Sequence, residues 1–502
     1  MDNYDLLFKN GNIIDGSGGA AYNGDVAVTG GVIAAVGPNL SGRAKQQIDI
    51  SDRTICPGFI DIHRHADAAV FRPGFGEAEL RQGITTIVNG NCGMSISPLP
   101  DARRKEMLTY LRPVLGDLPE ELSAKPPLNV LTLAGSGSIR AAVCGYKKPK
   151  TDAGDIRIIH SHLEEILAKG AVGVSVGFSY FPDIYYNPES LAEALAPIKN
   201  SGLPLMCHIR GEGDLMYQSV QEAIKAAKLL KAPLHISHLK CVGKRNWGTL
   251  PAKVIKLIER QDDIMITCDV YPWTAGSTQM SCLLPPSFLR DGLTGVSQLL
   301  QDPKERAHCR DILKKPGTDF ENIVELMGWQ SIYISGLKSR KNRWCIGKSI
   351  TEIADELQID PYDAAFDLLA EENCDITMVD YITCEEDIAT ILKLSYSCVA
   401  SDAIYPSGGL PHPRSYGNTS QLFKEYVQKR SNLSYEEAVY KLTALPAKII
   451  GLTKKGLLKT GYDADLIIIG PKGLECAADY QNPTQYTNGI EMVMIKGEIK
   501  GE

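Results

Sequence analysis

The sequence predicts an α/β chain: a (β/α)8 TIM-like barrel with an inserted subdomain, plus a small β-sandwich domain formed by both termini. Three observations predict it. Eight strand-like segments run through the middle of the chain, all but the last separated by helical sequence. Polar residues collect at the C-terminal ends of those segments, where such barrels hold their active sites. Both ends of the chain instead read as short strands with tight turns.

In YDLLFKNGNIID the pair Asn10-Gly11 lies between apolar runs, and Asn23-Gly24 and Gly30-Gly31 punctuate the stretch around DVAVTGGVIAAVG. These are hairpin turn signals. After Gly461, ADLIIIGP and MVMIKGEIKG read as strands, so residues 1–55 and 452–502 are expected to build one sheet domain around a barrel at 56–451.

The barrel series opens with PGFIDIHRH at Pro57 and continues through TTIVNGNCG, NVLTLAG, AVGVSVGF, PLMCHIRG, LHISHLK, ITCDVYPW and SCVASDA. Between the last two lie more than a hundred residues, far more than one helix needs, so an inserted subdomain is expected at about 280–348. Ser349 with Glu352 three residues on is a capping-box pattern that opens a helix. An insertion on that face is placed to cover the barrel mouth as a lid.

The 502 residues are 44% hydrophobic and 23% charged with net charge -7, the composition of a compact protein whose length calls for two domains. No basic stripe suits a nucleic-acid partner, and no run approaches the ~18 apolar residues of a membrane span. Thirteen cysteines without a Cys-x-x-Cys pair, and an opening MDNYDLLFKN unlike a signal peptide, lead us to expect reduced thiols in a cytoplasm. The expected partner is a small-molecule substrate.

The chemistry starts at His63 and His65. Side chains two apart on a strand share a face, so the pair makes half of a metal site. Cys92 ends the second segment, His208 the fifth, His238 the sixth and Asp402 the eighth. Zinc accepts imidazole, thiolate and carboxylate, and in catalytic sites keeps a position for water whose pKa falls to near 7. Asp402 is the expected general base and then general acid, passing a proton to a leaving nitrogen.

Other histidines are weaker candidates. His160 and His162 sit two apart on a helix and face different ways; His235, three from His238, is expected on the opposite face as a packed core residue. His308 and His412 are expected at the surface. Arg210 and Lys240 each lie two residues beyond an expected ligand, and Arg414 follows a glycine-containing loop; such cations suit an anionic substrate, with Arg able to grip a carboxylate bidentately.

Pro57-Gly58-Phe59-Ile60-Asp61-x-His63-x-His65, the histidines of Cys207-His208-Ile209-Arg210 and Ile236-Ser237-His238-Leu239-Lys240, and Ser401-Asp402 resemble the amidohydrolase superfamily. The fourth segment offers no lysine of the kind that bridges two metals in hydantoinases and dihydroorotases. Asn91-Cys92-Gly93 instead resembles the N-acyl-D-amino-acid deacylase (D-aminoacylase) family. The likeness runs nearly end to end and takes in Asp269-Val270-Tyr271-Pro272-Trp273, Asn246-Trp247-Gly248 and Gly461-Tyr462-Asp463-Ala464-Asp465-Leu466. It implies zinc-dependent hydrolysis of the amide of an N-acyl-D-amino acid. Cys92, His208 and His238 would be the tight zinc site, with His63 and His65 at a second position that is weak or empty. Lys240, Tyr271 and Arg414 would hold the substrate's α-carboxylate, and Tyr180 and Ser277 would line the pocket. Arg64 departs from the family's usual small or hydroxyl residue and is expected to point away from the pair. The alternatives are a related amidohydrolase acting on a cyclic amide or a dipeptide, and a metal-free binding scaffold.

Overall fold

The structure is a computed structural model that describes residues 3–120, 122, 125–290, 292–406 and 408–501. Its barrel strands are Phe59–Asp61, Ile84–Asn89, Asn129–Thr132 continued by Ala134–Gly135, Val174–Gly177, Leu205–His208, Leu234–Ile236, Ile266–Val270 and Ser397–Val399. Neighbours pair in parallel throughout. The series expected from the sequence is therefore the barrel, with one refinement at the third strand. There the chain changes partner at Leu133, whose N–H donates to Asn89 O on the second strand, while the N–H of Ala134 donates to Gly173 O before the fourth.

The first and eighth strands meet beyond their regular ends. Arg64 bridges Ala403 in parallel, the Asp402 N–H donates to His63 O at 2.8 Å and the His65 N–H to Ala403 O at 2.9 Å. The barrel thus closes through the backbone of three expected ligands, which ties the site to the seam between first and last strands.

Alternation sorts the strands' side chains. Leu205 and Cys207 join the large apolar core under the helices, whereas Met206 belongs to a separate inner cluster with Ile60, Ile62, Val88 and Cys398. His208 shares Met206's face and so points inward. Helices such as Ala153–Ala168, Met216–Leu230 and Thr249–Glu259 cover the outside. Met216–Leu230 buries Val220, Ala223, Ile224, Ala227 and Leu230 at helical spacing.

Both termini enter one eight-stranded sheet. Leu466–Ile469, from the C-terminal part, pairs antiparallel with Thr54–Pro57, which in turn pairs in parallel with Asn3–Ile13. Phe8, Ile13, Val26, Ile55, Leu466 and Met494 form its core. Gly31 is one glycine the fold requires: at φ +80 a Cβ there would lie 2.8 Å from Lys496 O, where the two termini touch.

The inserted region carries its own antiparallel sheet, with Thr377–Tyr381 between Ala275–Gln279 and Ile332–Gly336. This sheet extends on both sides of 280–348. The helix Ile350–Leu357 opens on the capping box, Ser349 and Glu352 bonding each other's backbone N–H groups. Insertion residues pack with Met107, Tyr110 and Leu111 of the helix Arg104–Leu115 in a single apolar cluster, so the insertion is anchored on the barrel's rim. No helix among the described residues is long and apolar enough to cross a membrane.

Candidate metal centre

Six side chains converge at the C-terminal mouth of the barrel. Donor atoms of Cys92, His208 and His238 lie within 4.8 Å of one another, as do those of His63, His65 and Cys92, and those of His63, His238 and Asp402. Cys92 Sγ is 3.4 Å from His63 Nε2 and 3.6 Å from His238 Nε2. Donors sharing a tetrahedral zinc at ordinary bond lengths are separated by about 3.6 Å for sulfur to nitrogen and about 3.3 Å for nitrogen to nitrogen. The sulfur distances fit; His208 Nδ1 and His238 Nε2, at 2.8 Å, sit closer than a shared ion would hold them.

The backbone that presents these groups is unusual. Cys92, His238 and Asp402 have φ of 54, 37 and 52, in the left-handed region that non-glycine residues seldom occupy. Each lies just past a strand's end, and the conformation aims the side chain back over the barrel axis. Such strain persists only where the surroundings hold it in place.

Electrostatics complete the donor set. Burial alone would raise the Cys92 thiol, yet His63 beside it and hydrogen bonds from His208 and His238 hold it well below the ordinary thiol range. Burial likewise works against an Asp402 carboxylate, but Arg414, His63 and His65 keep it ionised. Burial and the neighbouring His238 push His208 down, so its ring is neutral. A thiolate, a carboxylate and the His208 imidazole suit a borderline-soft divalent ion, whereas His63, His65 and His238, held against burial above the ordinary histidine range by neighbouring carboxylates and Cys92, would give up a proton to bind it.

Outer partners fix the rings. His238 Nδ1 is 2.9 Å from Glu212 Oε1, which leaves Nε2 for the centre. His63 Nδ1 is 3.2 Å from Asp269 Oδ2; the same oxygen meets His235 Nε2 at 2.8 Å, and Oδ1 accepts the His238 N–H. Neither carboxylate was assigned a role from the sequence, although Asp269 lies on the seventh barrel strand near its C-terminal end and Glu212 just beyond the fifth. His235 is a buried core residue, but it points into the barrel and braces Asp269.

Lys240, Tyr271, Tyr180 and Ser277 line the same cavity as His65, Cys92, His208, His238 and Asp402. Lys240 Nζ pairs with Glu212 at 2.6 Å, and the buried Tyr271 hydroxyl has no hydrogen-bond partner among the described residues. Tyr180 bonds Thr278, and Ser277 donates to Met378 O. Arg414 lies behind this wall, fully buried, with Nη1 3.1 Å from Asp402 Oδ2 and its guanidinium 4.6 Å from the Tyr271 ring centroid.

Two expectations change. Arg210 is no free cation: it pairs with Glu222 and donates to the carbonyls of Phe178, Ile184 and Tyr186, clamping the loop after the fourth strand. His412 is 1% exposed, not at the surface. Its Nδ1 accepts the Arg414 N–H and its Nε2 donates to Ala275 O, because the proline-rich loop is pinned against the start of the inserted sheet. Arg64 turns away from the histidine pair, into a buried pairing with Glu79 and Asp61. His160 and His308 stay outside the cluster.

A histidine, cysteine and carboxylate cluster at the mouth of a (β/α)8 barrel is the arrangement of a metal-dependent barrel enzyme. Residues 54–309 and 399–500 match the model of the Amidohydrolase family, and the chain belongs to that family. It is 29% identical to the D-aminoacylase of Alcaligenes xylosoxydans xylosoxydans, over 98% of this chain and 94% of that protein. It is also 29% identical to that organism's N-acyl-D-glutamate deacylase, over 99% and 93%. Among solved structures it resembles the N-acyl-D-glutamate deacylase of Bordetella bronchiseptica, complexed with zinc and a phosphonate mimic of the tetrahedral intermediate. The TM-score is 0.82, at 25% identity, covering 99% of this chain and 96% of that one.

Proposed function

We propose that this chain is a zinc-dependent hydrolase that cuts the amide of N-acyl-D-amino acids to a carboxylate and a free D-amino acid. The observation that carries the reading is one cavity lined by the Cys92, His208 and His238 donor set, by ionised Asp402 and by Lys240 and Tyr271. The relatives named D-aminoacylase and N-acyl-D-glutamate deacylase, similar over nearly the whole chain, support the substrate class and its D configuration.

Cys92, His208 and His238 would hold one tight zinc, and His63 and His65 a second, weaker one. Zinc held there would supply a Lewis acid for the scissile carbonyl and a lowered pKa, toward ~7, for water. Asp402 Oδ1, 3.3 Å from His65 Nε2 and 3.4 Å from His63 Nε2, takes the proton of the attacking water and returns it to the leaving nitrogen. Lys240 and the Tyr271 hydroxyl grip the α-carboxylate, while Arg414 contributes its charge from beneath the Tyr271 ring. Tyr180 and Ser277 shape the wall. Two units follow from this reading, 56–451 as the catalytic barrel and 1–55 with 452–502 as its sheet domain. The thirteen free cysteines, ten of them buried, fit a reducing cytoplasm.

Amine release from a panel of N-acetyl-D- and N-acetyl-L-amino acids tests the reading. Release from D members alone is expected; a zinc-loaded protein that leaves every D member intact contradicts it. Asp269→Asn should weaken metal binding at His63 by about 10–100-fold, since it removes a carboxylate that orients the ring. Competitive titration against a chromophoric chelator reads this without reference to activity, and an unchanged affinity would remove Asp269 from the centre.

A further inference from the structure

The cavity lining is of two kinds. Met94, Tyr110, Val114, Phe181, Leu284 and Leu289 are apolar. Asp319, Glu321 and Asp380 are acidic, and none of them forms an ion pair with any described residue. Of the cations that line the cavity, Arg210 is taken up by Glu222 and three carbonyls, and Lys240, paired with Glu212, is the one assigned to the α-carboxylate.

Asp380 is the informative member. It is 2% exposed, on the middle strand of the inserted sheet, and its Oδ1 has no hydrogen-bond partner among the described residues. Gly276 stands across from it on the neighbouring strand. A Cβ there would come within 2.8 Å of that oxygen, so the glycine keeps the carboxylate reachable from the cavity. Glu321 is held similarly: its Oε2 accepts the Gly213 N–H, and side chains at Gly211 or Gly213 would press to 2.9 and 2.8 Å of its oxygens. Burial pushes both carboxyls up, Asp380 to about 6 even with the Lys240 and Arg414 charges nearby, and Glu321, which has no cation beside it, to about 7. An arriving cation would relieve it.

We propose that the substrate selected by this cavity has a basic side chain, an N-acyl derivative of the D-arginine or D-lysine class, with its cationic end at Asp380 and Glu321. The acyl group then lies along the apolar lining. An acidic side chain would meet these carboxylates while Lys240 is occupied by the α-carboxylate, which distinguishes this chain from its relative named for D-glutamate. The inference rests on the deacylase reading and deepens it.

The test compares N-acetyl-D-arginine with its neutral isostere N-acetyl-D-citrulline, and N-acetyl-D-glutamate with N-acetyl-D-glutamine, using the zinc-loaded protein. The expected arginine-to-citrulline ratio of kcat/KM is about tenfold or more, with glutamate below glutamine, because unpaired buried charges are strongly rejected. Glu321→Gln and Asp380→Asn should each lower the arginine-to-citrulline ratio by about threefold or more. Glu321 sits nearer solvent, so its variant serves if Asp380→Asn fails to fold. A ratio at or below one, or a ratio unchanged in the folded variants, overturns this inference alone. No hydrolysis of any member overturns the deacylase reading and this inference with it.

Discussion

Cys92→Ala is expected to lose both metal and activity. Cys92 belongs to two of the three donor groups, and its sulfur is the only thiolate among them. Removing it leaves His208 and His238 as a bare pair, and the loss of affinity should exceed the roughly 10–100-fold that accompanies removal of an outer partner. Activity should fall to background at metal concentrations that saturate the natural protein. The fold should survive, since alanine replaces a small buried side chain, and Cys92→Ser, which keeps the shape without the thiolate, should fail in the same way. Metal content after desalting, read beside thermal unfolding, checks both points. A Cys92→Ala protein that keeps stoichiometric metal would remove the thiolate from the centre.

Asp402→Asn should behave differently, keeping metal at the Cys92, His208 and His238 group, which does not include it. Loss of the proton carrier should cost about 10²–10⁴-fold in kcat. A second effect comes from the packing. Arg414 is fully buried against the Asp402 carboxylate at 3.1 Å, and a buried cation that loses its partner costs about 3–5 kcal/mol. The Tm should therefore fall as well. Metal analysis, steady-state kinetics and thermal unfolding on one preparation separate the effects. Retained kcat in a metal-loaded Asp402→Asn protein would exclude Asp402 from proton transfer.

Much of this centre was legible in the sequence because a barrel collects its functional residues at strand ends, and strands show as apolar runs between helices. His63, His65, Cys92, His208, His238 and Asp402 were all readable that way. Alternation was informative only within the strands. The sixth strand ends at Ile236, and His238, with φ 37, has left the pleat, so counting three residues back to His235 did not give their relative direction. The His235 ring and the His238 backbone N–H both meet Asp269. Contacts between distant segments left no local trace. Nothing near Arg210 announces Glu222 and the loop carbonyls, and nothing near His412 announces Ala275. Asp380 is a strand residue facing a cavity that exists only once the insertion folds back over the barrel.

Zinc titration of the metal-free protein, with amine release from an N-acetyl-D-amino acid read at each point and its L enantiomer as control, tests the central claim most directly. Activity on the D enantiomer should rise with added zinc and reach its plateau near about one equivalent, the tight site formed by Cys92, His208 and His238. A protein that binds zinc at that site and releases no amine from any D substrate, or one whose activity is indifferent to zinc, would contradict it.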